Sequence, residues 1–173
     1  MSNQIIRVAR YTSGSINSIG REEYRLKYNH KNTSIDEARS HLNITLGNKD
    51  RKTLYQLWKT HIEHYGLNYT GKKNQIAMEQ IVITASPDFF KQLGWDKIVA
   101  REWDKTDIPK EICQYFNDSL KFVKEYIGKE NLLSATLHFD VKWSMVLIVY
   151  RVYSVKNIRE KGTAYTSEKL KCV

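Results

Sequence analysis

One segment restricts the possible folds more than any other: residues 109–128, PKEICQYFNDSLKFVKEYIG. Pro109 opens it, Gly128 closes it, and between them Ile112, Tyr115, Phe116, Leu120, Val123 and Ile127 recur at helical spacing. At about 3.6 residues per turn these side chains share one face of an amphipathic α-helix. A helix that is apolar on one side must lay that side on another apolar surface. The surface on offer is a set of β-branched segments bounded by turn residues: QIIRVARYT (4–12), HLNITL (41–46), NQIAMEQIVITAS (74–86), NLLSATLHFD (131–140) and SMVLIVYRVYSV (144–155).

Two further helices are predicted. RKTLYQLWKTHIEHYG (51–66) places Leu54, Leu57, Trp58, Ile62 and Tyr65 at helical spacing, with Asp50 as its cap and Gly66 as its end. PDFFKQLG (87–94) reads as a short helix, whereas REEYRLKYNHKN (21–32) reads as an exposed helix or ordered loop after a break at SGSINSIG (13–20). Helices and strands mix without strict βαβ alternation, so the expected fold class is α+β, an antiparallel β-sheet with helices packed on one face. Residues 1–155 are expected to form this domain and 156–173 a basic tail. The strand SMVLIVYRVYSV, if left unpaired at an edge, would be an aggregation risk.

The charge balance of 28 Lys+Arg against 19 Asp+Glu, a formal net charge of +9, favours polyanionic partners. Eleven tyrosines and four tryptophans supply flat faces on which unpaired bases stack, which points to nucleic acid. No apolar run approaches the roughly twenty residues that a membrane span requires, and MSNQIIRVAR lacks the apolar core of a signal peptide. A cytoplasmic protein is expected. There is no G-x-S-x-G, Walker or C-x-x-C motif, so any chemistry falls to tyrosines, carboxylates and histidines. HIEH (61–64) reads as a solvated helix face or a weak metal pair, and GKKNQ (71–75) as a basic turn. REEYR (21–25) reads as a charged turn, or as a Tyr24 nucleophile beside Arg25, since a phenol attacks a phosphodiester when a cation stabilises the oxyanion.

SHLNITLG (40–47), EQIVITASPDFF (79–90) and LSATLHFD (133–140), in this order, together with the basic opening IIRVARYTSGSINSIGREEYR (5–25), resemble the relaxase domain of the plasmid mobilisation family (Mob/Pre, plasmid recombination enzyme). The resemblance runs from about Ser2 to Asp140. It implies a histidine-hydrophobe-histidine endonuclease fold and a divalent cation, Mn²⁺ or Mg²⁺, held by histidines. It also implies a DNA partner, single-stranded or hairpin DNA at a plasmid origin of transfer, nicked and rejoined by transesterification.

Carried over residue by residue, the resemblance is uneven. His138 and Asp140 stand at the first histidine and the aspartate of the family pattern H-x-D-E-x-x-P-H-x-H. By direct count Val141 replaces the glutamate, Ser144 the proline, Met145 the second histidine and Leu147 the third. Drift or a local reading-frame slip would produce this, and His138 is left as the expected metal ligand. An alternative has His41 or Glu79 completing the site. In the opening region Glu22 stands at the histidine of the family's H-N-x-R sequence and Arg25 at its arginine, so Tyr24 or Glu22 becomes the expected nucleophile. Arg7, Arg10, Arg21, Lys27, Arg39, Lys72 and Lys73 are the expected phosphate contacts. Family members continue into further DNA-binding and coiled-coil regions, so the chain is expected to be a truncated copy. The alternative function is a catalytically inactive remnant acting as a DNA-binding or interaction module.

Overall fold

The computed structural model describes residues 4–26, 34–48, 50–142 and 144–152. Five strands, β1 (Gln4–Tyr11), β2 (Ile44–Leu46), β3 (Met78–Ala85), β4 (Leu132–His138) and β5 (Val146–Val152), form one sheet in the order β1-β3-β5-β4-β2. Every neighbouring pair is antiparallel.

Alternation along each strand gives the sheet two faces. Ile81 and Ile83 of β3, Leu147 and Val149 of β5, and Ala135 and Leu137 of β4 share one of them. Onto it α4 (Lys110–Ile127) lays Ile112, Phe116, Leu120, Val123 and Ile127, and α3 (Pro87–Gln92) adds Phe90, stacked 5.6 Å from Phe116. Met78, Tyr150 and Val152 lie on the other face, where α1 (Ile16–Glu23) and α2 (Leu54–His64) contribute Ile16, Leu54 and Trp58. The α+β class and the antiparallel sheet are as expected, and α4 covers a face as its spacing requires. The second layer, α1 with α2, is an addition. It follows from β5, whose run Val146–Tyr150 is apolar at both parities and needs cover on both sides.

Being central, β5 pairs with β3 and β4, so no aggregation edge arises from Val146–Val152. The edges are the three-residue β2 and the longer β1, where Ile6 and Val8 are more than half exposed and Arg7 and Arg10 provide charge against edge-to-edge pairing.

Two local readings are corrected. SGSINSIG is a turn followed by the start of α1, which a glycine in mid-helix conceals from propensity. A Cβ on Gly20 would sit 2.8 Å from the Leu54 Cβ, so glycine is what lets α1 approach α2. The cap of α2 is Thr53 and not Asp50: Thr53 Oγ1 accepts from Gln56 N at 3.2 Å while Gln56 Oε1 accepts from Thr53 N at 2.8 Å. No described helix is long and apolar enough to cross a membrane. Lys27 and the tail at 156–173 lie outside the described residues.

Candidate functional site

Glu23 ends α1, Tyr24 caps it, and Arg25 follows with φ 51°. A residue bearing a Cβ in this left-handed region is destabilised by roughly 1 kcal/mol, so something must hold it there. The guanidinium does. Arg25 Nε donates to Asp140 Oδ2 at 2.8 Å, Nη2 to Asp140 Oδ1 at 2.9 Å and Nη1 to the Glu22 carbonyl at 2.7 Å. Asp140, just past β4, is wholly buried and also accepts from Ser40 Oγ and Asn43 Nδ2, each at 2.9 Å. Ser40 comes from the 3₁₀ turn Glu37–Leu42, and Asn43 ties that turn to the strand by accepting from Phe139 N at 2.8 Å.

His138, 1% exposed, ends β4 on the sheet face of α1. In the neutral ring Nε2 donates to Glu23 Oε1 at 3.0 Å and Nδ1 accepts from Arg25 Nη2 at 3.2 Å. Tyr150 donates to the other Glu23 oxygen at 2.9 Å and accepts from Gln80 Nε2 at 2.8 Å, and Tyr11 donates to Gln80 Oε1 at 3.1 Å. One polar chain therefore crosses the sheet from β1 through β3 and β5 to the end of β4.

The charges are tightly coupled. Burial opposes a charged His138 ring, but the neighbouring Asp140 carboxylate, 3.6 Å from Nδ1, and the hydrogen-bonded Glu23 carboxylate outweigh burial and Arg25, leaving its pKa raised. Burial would likewise raise Asp140; the hydrogen bonds from Arg25 and the nearby His138 ring reverse this, holding the carboxyl well below the usual range. The Tyr150 phenol is driven up by burial and by Glu23.

The residues expected at the site are only partly brought together. Arg25 and His138 are in contact, with Asp140 between them. Glu22 is exposed and contributes its carbonyl. The Tyr24 hydroxyl is enclosed beside Ser134 and Asn48 with no formed hydrogen bond, and burial raises its pKa, which leaves a protonated phenol outside the His138 cluster.

Among the expected phosphate contacts, Arg7 pairs in register with Val82 and so lies on the His138 face at the exposed edge. Arg10 is on the α4 face, bonded to the buried Glu79 at 2.9 Å. Arg21 on α1 and Lys72 and Lys73 in the loop before β3 are exposed. Arg39 is a correction: it is 2% exposed, donates to Asp36 at 3.3 Å and to the Val141 carbonyl at 3.2 Å, and lies over the Trp95 ring. Its guanidinium braces the wall of the site.

The residues around His138 do not fit a divalent cation. Among the described residues no three His, Cys, Asp or Glu side chains converge on one point. Both His138 nitrogens have partners, and Asp140 is saturated by Arg25, Ser40 and Asn43. Met145 and Leu147 are buried in the α4-side core, facing away from His138, while Val146 is the cross-strand partner of His138. On a strand a count of one residue reverses the face, so histidines at 145 and 147 would point away from His138 in this register. Neither proposed substitute reaches the site. His41 Nε2 bonds the Trp103 carbonyl at 2.8 Å, and Glu79 is held on the opposite face by Arg10 and Arg151.

Sequence reasoning missed Glu23, Ser40, Asn43, Gln80 and Tyr150. Ser40 and Asn43 lie within SHLNITLG and were legible as polar interruptions of an apolar segment. Gln80 and Tyr150 carried the even parity of their strands, a signal visible once the face of His138 is known.

The sheet order, with α4 on one face and a histidine-centred polar cluster on the other, is the fold of a relaxase domain. It matches the MobM relaxase domain, solved Mn-bound and with plasmid pMV158 oriT DNA, with a TM-score of 0.65 and 21% identity over 84% of this chain and 68% of that one. The family model described as plasmid recombination enzyme matches residues 1–168, and the chain belongs to that family. The type 3 plasmid recombination enzyme of Staphylococcus aureus is 32% identical over 148 residues, which cover 82% of this chain and 32% of that protein. The plasmid recombination enzyme of Lactiplantibacillus plantarum is 30% identical over 149 residues, 82% of this chain and 36% of its own. The chain thus spans about a third of the length of these relatives.

Proposed function

We propose that this domain acts in plasmid mobilisation and recombination by binding single-stranded or hairpin DNA of an origin of transfer, in the cytoplasm, with strand nicking absent or strongly reduced. The observation that carries the reading is the unit Arg25–Asp140–His138, a partly exposed guanidinium held by buried partners on the sheet face that also presents Arg7. Four of the five N–H donors of Arg25 are engaged by Asp140, His138 and the Glu22 carbonyl, so it offers a phosphate a fixed positive charge and one remaining Nη1 donor, and the net charge of +9 draws the polyanion in. Family membership supports origin DNA as the target. What supports reduced nicking is that both nitrogens of His138 are engaged, which leaves that imidazole no free nitrogen for a catalytic metal.

Fluorescence anisotropy of the whole chain with single-stranded and hairpin origin oligonucleotides tests the binding. Affinity is expected to fall linearly with added salt on a logarithmic scale, with a slope reduced by about one in Arg7→Ala and unchanged in Arg10→Ala. An affinity indifferent to salt overturns the reading. Incubation with a supercoiled origin-bearing plasmid and Mn²⁺ or Mg²⁺ is expected to give no relaxed product. Relaxation that disappears in Tyr24→Phe would establish a nicking enzyme instead.

A further inference from the structure

We propose that the cavity beside the C-terminal end of α2 is a nucleobase pocket, in which one unstacked base of a bound single strand is hydrogen-bonded by His61. The inference rests on the DNA-binding reading above and names a contact that reading does not require.

The cavity measures about 300 Å³, at the small end of the range for organic ligands. His61 lines it and is 4% exposed, and its Nε2 is buried without a hydrogen-bond partner. A buried polar atom left unpaired is destabilising, which makes this nitrogen a vacant anchoring point. The ring is neutral at physiological pH, because burial and the neighbouring His64 push its pKa down to about 4. A neutral imidazole nitrogen is a hydrogen-bonding group of the kind that reads bases, and a base entering the cavity would have to reach Nε2 just beneath its lining.

The rest of the lining suits a flat heterocycle. Leu57 and Leu133 supply apolar walls, and the Tyr65 ring lies 4.6 Å from the His61 ring. Asn48 is fixed by two 2.7 Å hydrogen bonds with the Lys52 backbone, so the floor is formed before anything enters. A single water, at about 30 Å³, fills a small part of this volume. A metal is disfavoured because among the described residues His61 and His64 have no third ligand. Leu133 belongs to the sheet face that carries His138, and Asn48 lies beside the Tyr24 hydroxyl, which puts the pocket on the same side of the sheet as Arg25 and His138.

The test follows the His61 ring resonances of the full chain by NMR during addition of dAMP, dGMP, dCMP and dTMP, each separately, and of Zn²⁺. At least one mononucleotide is expected to move the His61 signals, and the effect is expected to vanish in Thr60→Trp. Thr60 is exposed at the cavity lining, so the indole blocks the space without disturbing the core. In oligonucleotides, one abasic position is expected to lower wild-type affinity at least about fivefold and to have no effect on Thr60→Trp. The proposal is overturned if no mononucleotide moves His61, if Thr60→Trp responds like the wild type, or if Zn²⁺ alone moves His61 and His64. Oligonucleotides that bind while mononucleotides leave His61 unmoved remove the pocket and keep the DNA-binding reading. Mononucleotides that bind where oligonucleotides fail do the reverse.

Discussion

The Arg25 guanidinium closes on the Asp140 carboxylate through parallel hydrogen bonds of 2.8 and 2.9 Å, joining residues 115 positions apart in the chain. Asp140 has no exposed surface, so removing its partner leaves a buried charge held, among the described residues, by Ser40, Asn43 and the His138 ring. Arg25→Ala is expected to destabilise the domain by about 3 kcal/mol. Arg25→Gly is expected to lose roughly 1 kcal/mol less, because glycine adopts φ 51° without the Cβ penalty. Urea denaturation of the two variants measures both effects; equal stabilities would mean that the backbone at this position is unstrained.

Tyr150→Phe tests the polar chain at its centre. The substitution keeps the ring volume but removes the donor to Glu23 and the acceptor for Gln80 Nε2. Hydrogen bonds to a charged group contribute roughly 1.5–3 kcal/mol, and a loss in that range is expected in chemical denaturation. A loss below about 0.5 kcal/mol would show that water replaces the phenol.

His61 and His138 are expected to give stability opposite pH dependences. His61 has its pKa lowered to about 4 in the folded state, so the neutral ring is the favoured form. Its contribution is complete above the unfolded value of 6.5 and is lost as pH falls from there through about 4, a change of roughly 3 kcal/mol. His138 is raised, so its contribution is present below the unfolded value and is lost as pH rises through the folded one. Denaturation midpoints measured from pH 7 to pH 4 are expected to fall less steeply in His61→Phe than in the wild type. Parallel profiles would show that burial of His61 does not control its protonation.

Gly20→Ala distinguishes helix propensity from packing. Alanine favours a helix interior by up to about 1 kcal/mol over glycine. Here its methyl would meet the Leu54 Cβ at 2.8 Å, and neither atom lies at the end of a flexible chain. Overpacking costs about 1–3 kcal/mol, so net destabilisation is expected in thermal denaturation. A stabilised variant would mean that α1 slides past α2 freely.

Much of the fold was legible because it depends on local periodicity. The spacing of Ile112, Phe116, Leu120, Val123 and Ile127 requires a one-sided helix, and α4 is that helix. The alternation around Ile81 and Ile83 produced β3, and Ser86-Pro87 started α3. Where two signals competed, reading along the chain failed. Thr53 with Gln56 outcompetes Asp50 as a cap because it satisfies two backbone groups reciprocally. The α1 helix was hidden because Gly20 answers to Leu54, a residue 34 positions away.

The site divides in the same way. The motifs around His138, Asp140 and Arg25 were visible as residue types at family spacing. Which of those residues meet was decided by the fold. Strand parity turns Met145 and Leu147 into the α4-side core and leaves Val146 opposite His138, which a count along the chain does not reveal. Arg39 and Arg7 are equally basic in the sequence, yet one is sealed over Trp95 and the other lies on the open edge. Composition and periodicity settle what a segment does with its own neighbours, since those interactions span a few residues. The Arg25–Asp140–His138 contact and the unpaired nitrogen of His61 exist only after distant segments have packed, because burial and partner geometry are properties of the assembled sheet and its helices.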